Sequence, residues 1–521
     1  MLKTVLSLTA AISLLIGGGY SPSMTEIDHV PGDIVALTET AAGKTNEDMI
    51  YSVEHLAESD IYTNHLDGYK ITVPYGLTPD ASLSNIRFRL SGARYSVEIF
   101  KESFSEESDC STYISYSNRF TDDSLSCTVE LQETTEINGL EAHILKWSRP
   151  TLGADDKNHY VNIDFVDGTD VYTVTIKSAA LIDDWREISE SFCLVEPTVT
   201  TAAAKAFRSE PLGGKNAETA ETFERIFGEN SGLNWGLMVP REPVNGTNGI
   251  ESIERSISKK MDICLFYFFV QQEYNGDVYK GLSAAWDIGK ISELTMQFSP
   301  SAPSGIVYDV LKGGFDGYLD QLISDVKDFG HPVLMRLFNE MNGEWCNYSG
   351  YHTSRDPEVY IRLYRYIVDK FRAAGAENVI WVWNPNEKSF PNFRWNSEEM
   401  YYPGNDYVDV VGLTGYNTGT YYEGEKWRSF DRIYENIYAK ADMLYQKPLM
   451  ITEFSCSTAG GDKVEWVRDM FASLHRYPKL KAAVWWSGCD YDPDNGGISR
   501  SYFIDDTEGV MALFRENIGE Q

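Results

Sequence analysis

From residue 234 to the C-terminus, short apolar runs alternate with longer amphipathic stretches, and this alternation restricts the fold more than any other feature of the chain. The runs are 235–239, 264–270, 294–298, 333–338, 379–383, 408–413, 449–454 and 482–486. Helical periodicity lies between most of them, over 250–260, 315–329, 357–374, 430–445 and 462–476. A short strand that is apolar on both faces must be covered on both, which is the condition of parallel strands joined by helical crossovers. Eight such units in about 290 residues fit a (β/α)8 barrel. An open doubly wound sheet is the other arrangement. It expects a glycine-rich phosphate turn after the first strand, where the chain reads "LMVPREP".

At 521 residues the chain exceeds one ordinary core. Met1-Leu2-Lys3, an apolar run over 5–16 and small residues over 17–23 have the plan of a secretory signal peptide, too short for a comfortable membrane span. A polar spacer is expected over 24–60. Over 61–197 strand patterns dominate, with alternation at 69–73, 96–100 and 171–176 and helical stretches near 104–118 and 181–192. They predict a smaller α+β domain on an antiparallel sheet. Its "YKITVPYGL" opening, its "INGLEAHILKW" strand and its closing "SF" loosely resemble PsbP/DcrB-like domains of secreted proteins, a resemblance that carries no functional residue. Residues 198–230, rich in Ala, Thr, Glu and Gly, read as a linker with a short helix, and 231–521 as the barrel.

With 45 basic and 78 acidic residues the formal charge is −33, which repels nucleic acid and anionic membranes and suits a neutral substrate. Aromatic residues make up 13% of the chain, and their flat faces with polar edges suit sugar rings as well as a core. Eight His and seven Cys show no zinc-site spacing, and no cofactor or metal is expected. Cys110 and Cys127 are close enough in sequence to pair in an oxidising compartment. A secreted monomer with no partner other than a saccharide is expected.

Barrel chemistry sits where the strands end at the C-terminal face. Two carboxylates terminate apolar runs there: Glu340 after "VLMRLFN" in strand four and Glu453 after "LMIT" in strand seven. Alternation along strand four puts Arg336, Phe338 and Glu340 on one face, with Arg336 in the barrel interior. A buried guanidinium needs an anion, and Glu453 is the expected one, which would keep it charged as a nucleophile must be. Glu340, expected among Phe338, Met341 and Trp345, would hold its proton as a general acid must. Carboxyls roughly 5–5.5 Å apart would imply retention through a covalent glycosyl-enzyme.

The stretches "RLFNEMNGEW", "DPEVYIRLYRYIVDKFRAAGAENVIWVWNPN", "YYPGNDYVDVVGLTGYN", "KPLMITEF" and "DKVEWVRDMFASLHRYPKLKAAVWWS" resemble glycoside hydrolase family 26 across about 234–517. The resemblance implies a retaining endo-β-glycanase, with β-1,4-mannan the expected substrate and a mixed-linkage β-glucanase or β-1,3-xylanase the alternatives. It implies Glu340 as acid/base and Glu453 as nucleophile. Arg336 would lie beneath the site, Tyr416 would bond to the nucleophile and Trp345 would bind sugar. A sugar platform is expected at the end of strand eight, for which alternation admits either Trp485 or Trp486, and Trp485 is taken. Asn384 and Asn386, after strand five, either contact substrate or cap a turn. Two positions depart from the family. Asn339 stands where His usually precedes the acid/base, although Asn is normal there in the wider clan and contacts the sugar 2-hydroxyl. "FSCS" replaces the usual Phe-Gly after strand seven. A carbohydrate-binding barrel without catalysis remains the alternative, and a metal hydrolase on the same fold is disfavoured by the scarcity of His near strand ends.

Overall fold

The computed structural model describes residues 47–519, apart from 124–125, 208–212, 271–272 and 300. The leader expected at 1–23, and most of the spacer expected at 24–60, lie outside the described residues. The rest of that spacer is not one: Tyr51–His55 and Ser59–Asn64 pair as antiparallel strands. Tyr51–His55 is an edge strand whose side chains are nearly all exposed, so a paired backbone carries a polar sequence there.

The N-terminal region contains two antiparallel sheets where one was expected. Four strands, Tyr51–His55, Ser59–Asn64, Tyr69–Pro74 and Cys193–Leu194, form the first. The second has seven, in the order Thr78–Asp80, Phe88–Ser91, Tyr95–Ser103, Asp170–Ser178, His159–Asp167, Leu140–Ser148 and Thr128–Ile137. Helices Glu107–Ser117 and Trp185–Ser191 fall where the sequence places them. Cys110 and Cys127 are not bonded: their thiols lie against the carbonyls of Gly168 and Phe120. They belong to different apolar clusters, so nearness in sequence does not bring them together.

All eight apolar runs of the C-terminal region become parallel strands of one closed barrel. These are Asn234–Met238, Ile263–Val270, Ile291–Phe298, Val333–Leu337, Val379–Trp383, Val410–Asn417, Leu449–Cys456 and Leu480–Trp486. The fold is the (β/α)8 barrel that the alternation predicts. Helix Ala217–Phe227, capped by the Asn216 side chain, buries Ile226 and Phe227 against Ile263, Ile291, Leu334 and Ile380. Those side chains sit low in the strands, so the helix closes the end of the barrel opposite its C-terminal face.

The seven-stranded sheet packs against the loops and helix that follow barrel strand four. Asp356 caps helix Pro357–Ala373 by accepting from Glu358 N at 3.2 Å. The same carboxylate accepts from Tyr160 Oη at 2.6 Å and Lys177 Nζ at 3.0 Å, and Lys177 also contacts Glu98 at 2.8 Å. Beside them Arg149 holds Asp156 in a bidentate pair at 2.6 and 2.8 Å. These groups are all buried. Removing one partner of such a network strands a charge away from water, which costs more than the intact pair contributes. Asp356→Ala is therefore expected to lower stability by about 3–5 kcal/mol in urea unfolding; a loss below about 1 kcal/mol would show that the sheet and the helix do not share this network.

Candidate active site

Strand seven does not run straight to its end. Its register shifts against strand eight between Ile451 and Phe454, and that of strand six shifts against it between Leu413 and Thr414. An irregularity of this kind re-aims a side chain, and here it falls at Glu453. The Glu453 carboxylate is 1% exposed and takes four partners. Arg336 Nη1 and Asn339 Nδ2, the latter at 3.4 Å, meet Oε1. Tyr267 Oη at 2.5 Å and Tyr416 Oη at 2.8 Å both donate to Oε2. One cation and three donors thus converge on this carboxylate.

Arg336 is held from several strands. Its Nε donates to Thr295 Oγ1 at 2.7 Å, its Nη1 donates to Asn384 Oδ1 at 3.2 Å, and the guanidinium lies 5.5 Å from the Tyr267 ring centre. Glu293 Oε1 is 3.3 Å from Nε.

Glu340 sits in different surroundings. The strand ends at Leu337, and Phe338 and Glu340 then take positive φ values of 47° and 55°, a conformation that non-glycine residues avoid. The turn is fixed by bonds from Glu340 N to Asn384 O at 2.7 Å, from Tyr348 Oη to Asn339 O at 2.7 Å and from Tyr360 Oη to Phe338 O at 3.1 Å. Asn386 Nδ2 donates to Glu340 Oε1 at 2.6 Å, while Asn386 and Asn342 exchange bonds at 2.8 and 3.0 Å. Burial, and after it the nearby Glu453 charge, push the Glu340 carboxyl up to about 8, against the pull of Asn386, Arg336 and Trp345.

The structure brings Glu340, Glu453, Arg336, Asn339, Tyr416, Asn384 and Asn386 together. Asn384 is fully buried and holds Arg336 and the turn, so of the two asparagines it is Asn386 that reaches a carboxyl. Trp345 is half-buried against Phe390, and its ring lies where a Cβ on Gly343 would come within 2.4 Å, which explains the glycine of "MNGEW". Two expectations change. Phe338 does not share a face with Arg336 and Glu340, because the positive φ turns it outward against Phe298 and Tyr348. Trp485 faces the helices, packing on Phe454 and Phe514, and it is Trp486 that turns inward towards Tyr416.

Three inward residues escaped the sequence reading: Tyr267, Glu293 and Gln297. Gln297 Nε2 donates to Asn339 Oδ1 at 2.6 Å and so sets the Asn339 amide. The signal was present in strand three, where Glu293, Thr295 and Gln297 alternate with Leu294, Met296 and Phe298.

Residues 270–452 match the family described as Glycosyl hydrolase family 26, a span that includes Glu340 and stops one residue before Glu453. Endoglucanase H of Acetivibrio thermocellus is 31% identical over 302 residues, 57% of this chain and 32% of that protein. A mannan endo-1,4-beta-mannosidase of Bacillus subtilis is 33% identical over 107 residues, 19% of this chain and 27% of the relative. Beta-1,3-xylanase TXYA of a Vibrio species is 27% identical over 216 residues, 39% of this chain and 43% of the relative. The chain thus spans less than half the length of each of these relatives. With the barrel and the two buried carboxyls in place, these matches place the barrel segment 270–452 in glycosyl hydrolase family 26.

Proposed function

We propose that this chain is a secreted, retaining endo-β-glycanase that cleaves a neutral β-linked plant or cell-wall polysaccharide by double displacement, with no cofactor. The observation that supports it is the contrast between two buried carboxyls in one cavity. Glu453 is surrounded by a guanidinium and three donors, whereas Glu340 is desolvated, meets one amide and feels the Glu453 charge. A carboxylate held by a cation and three donors suits the nucleophile, and a carboxyl raised by burial suits the acid. In the first step the Glu453 carboxylate attacks the anomeric carbon while Glu340 gives its proton to the departing glycosidic oxygen. In the second, the Glu340 carboxylate takes a proton from the attacking water and Glu453 leaves. Trp345, Trp486 and Asn386 line the sugar path in this reading.

For the substrate we favour a glucan. Asn339 replaces the histidine usual in the family, and the longest of the three matches is with an endoglucanase. β-1,4-Mannan is the second reading, supported by the matches to mannosidases. Lichenan, mannan, xylan and β-1,3-glucan, assayed with product lengths and anomer, decide between them. Hydrolysis of none, or inversion, would overturn the proposal.

Two further outcomes follow from the geometry. Because Glu340 must carry its proton to act as acid, kcat/KM on polymer should fall about tenfold per pH unit above about pH 8; a profile flat to pH 10 would remove Glu340 as the acid. Asn339 offers Nδ2 beside Glu453, where the 2-hydroxyl of the bound sugar would lie, and that bond strengthens in the transition state. Asn339→Ala should lower kcat/KM by about 100-fold, with little further loss on a 2-deoxy substrate. An equal loss on 2-hydroxyl and 2-deoxy substrates would assign Asn339 to packing instead.

A further inference from the structure

Beneath the catalytic pair lies a third carboxyl with no part in the mechanism above. Glu293, on barrel strand three, is fully buried. Among the described residues neither of its oxygens accepts a hydrogen bond. Its one close charge is Arg336, whose Nε is 3.3 Å away but aims its hydrogen at Thr295. The charged and titratable groups that act on or feel this carboxyl are Cys264 from strand two, Arg336 from strand four and Glu453 from strand seven, with Tyr267 against the far face of the guanidinium. One guanidinium therefore stands between two carboxyls, bonded to one and only near the other.

We infer that Glu293 is the second counter-ion of Arg336, a positioning residue that takes over the guanidinium charge when Glu453 becomes an ester. The argument is charge balance among side chains that are themselves buried. In the free enzyme a protonated Glu293, Arg336 and the Glu453 carboxylate sum to zero. When Glu453 bonds to the anomeric carbon its negative charge disappears, and Arg336 would be left as a lone buried cation, which is strongly unfavourable. If Glu293 then ionises, its proton passing to water in the cleft, the trio is neutral again. As Glu453 leaves in the second step, Glu293 regains a proton. The surroundings agree with this cycle. Burial above all, and the Glu453 charge after it, raise the Glu293 carboxyl to about 8 against the pull of Arg336. Esterification of Glu453 removes that repulsion and frees the guanidinium.

The inference rests on Glu453 being the nucleophile, and the test separates the two. The substrate is the dinitrophenyl β-glycoside of the disaccharide repeat of whichever polymer is cleaved, which needs no proton on its leaving group. Glu293→Gln should lower kcat/KM about tenfold or more, because glycosylation creates the lone cation. It should leave kcat, limited by hydrolysis of the ester, within about threefold, so that KM rises. Glu293→Asp, which keeps a carboxyl, should lie nearer the unsubstituted enzyme. Equal losses in kcat and kcat/KM, or no change in either, would overturn the role. Should Glu293→Gln not fold, the unsubstituted enzyme still answers. Trapping it at pH 7 with a 2-deoxy-2-fluoro glycosyl fluoride should release two protons per site, one from Glu340 and one from Glu293, and release of one or none overturns the inference. Glu453→Ala is the control. If it retains turnover, the nucleophile assignment fails; if it is inactive while Glu293→Gln shows only uniform loss, the counter-ion role alone fails.

Discussion

The buried ion pair between Arg336 and Glu453 is the constraint around which the barrel interior is arranged. A guanidinium with no access to water is tolerable only when its charge is balanced and its donors are met. Meeting that demand draws on Thr295 from strand three, Asn384 from the end of strand five and the face of Tyr267 from strand two. The carboxylate in turn draws on Tyr416 from strand six and Tyr267 again. Removing the cation would thus unsettle partners on five other strands at once. An interior of leucine and valine would be simpler to fold. The polar layer instead fixes the orientation of one carboxylate.

How much of this was legible in the sequence follows from which signals are local. The barrel was readable because each strand is apolar on both faces and each helix on one, and these periodicities survive in a single chain. Glu340 and Glu453 were readable because a charge at the end of an apolar run is conspicuous. Phe338 was misplaced because alternation holds only while the backbone stays extended, and the turn at 338–340 is made by long-range bonds from Asn384, Tyr348 and Tyr360. For the same reason, alternation could not choose between Trp485 and Trp486 in a strand whose register slips against its neighbour. Tyr267 hides in the run "LFYFF", where a phenol looks like another core aromatic. The strand at 51–55 was invisible because an edge strand can be polar along its whole length.

The N-terminal helix Glu107–Ser117 bears on the site through the loops after strands four and five. Tyr116 bonds Glu344, the residue before Trp345. Asn118 accepts from Arg355 at 3.2 Å, and Ser117 accepts from the Trp395 indole at 3.1 Å. Tyr113 packs edge-on against Phe393 at 4.7 Å. The loop that carries Trp345 is thereby braced from outside the barrel as well as from within it. Sequence periodicity cannot reveal such bracing, since its partners lie more than two hundred residues apart.

The left-handed backbone at Glu340 has a consequence for removing that carboxyl while keeping the chain folded. Any side chain with a Cβ is held at position 340 against its own preference, at a cost of about 1–2 kcal/mol. Glycine alone takes this conformation without that penalty. Truncating Glu340 to glycine thus relieves tension that truncation to alanine leaves in place. The glycine form is the better scaffold for capturing an unhydrolysed saccharide in the cleft.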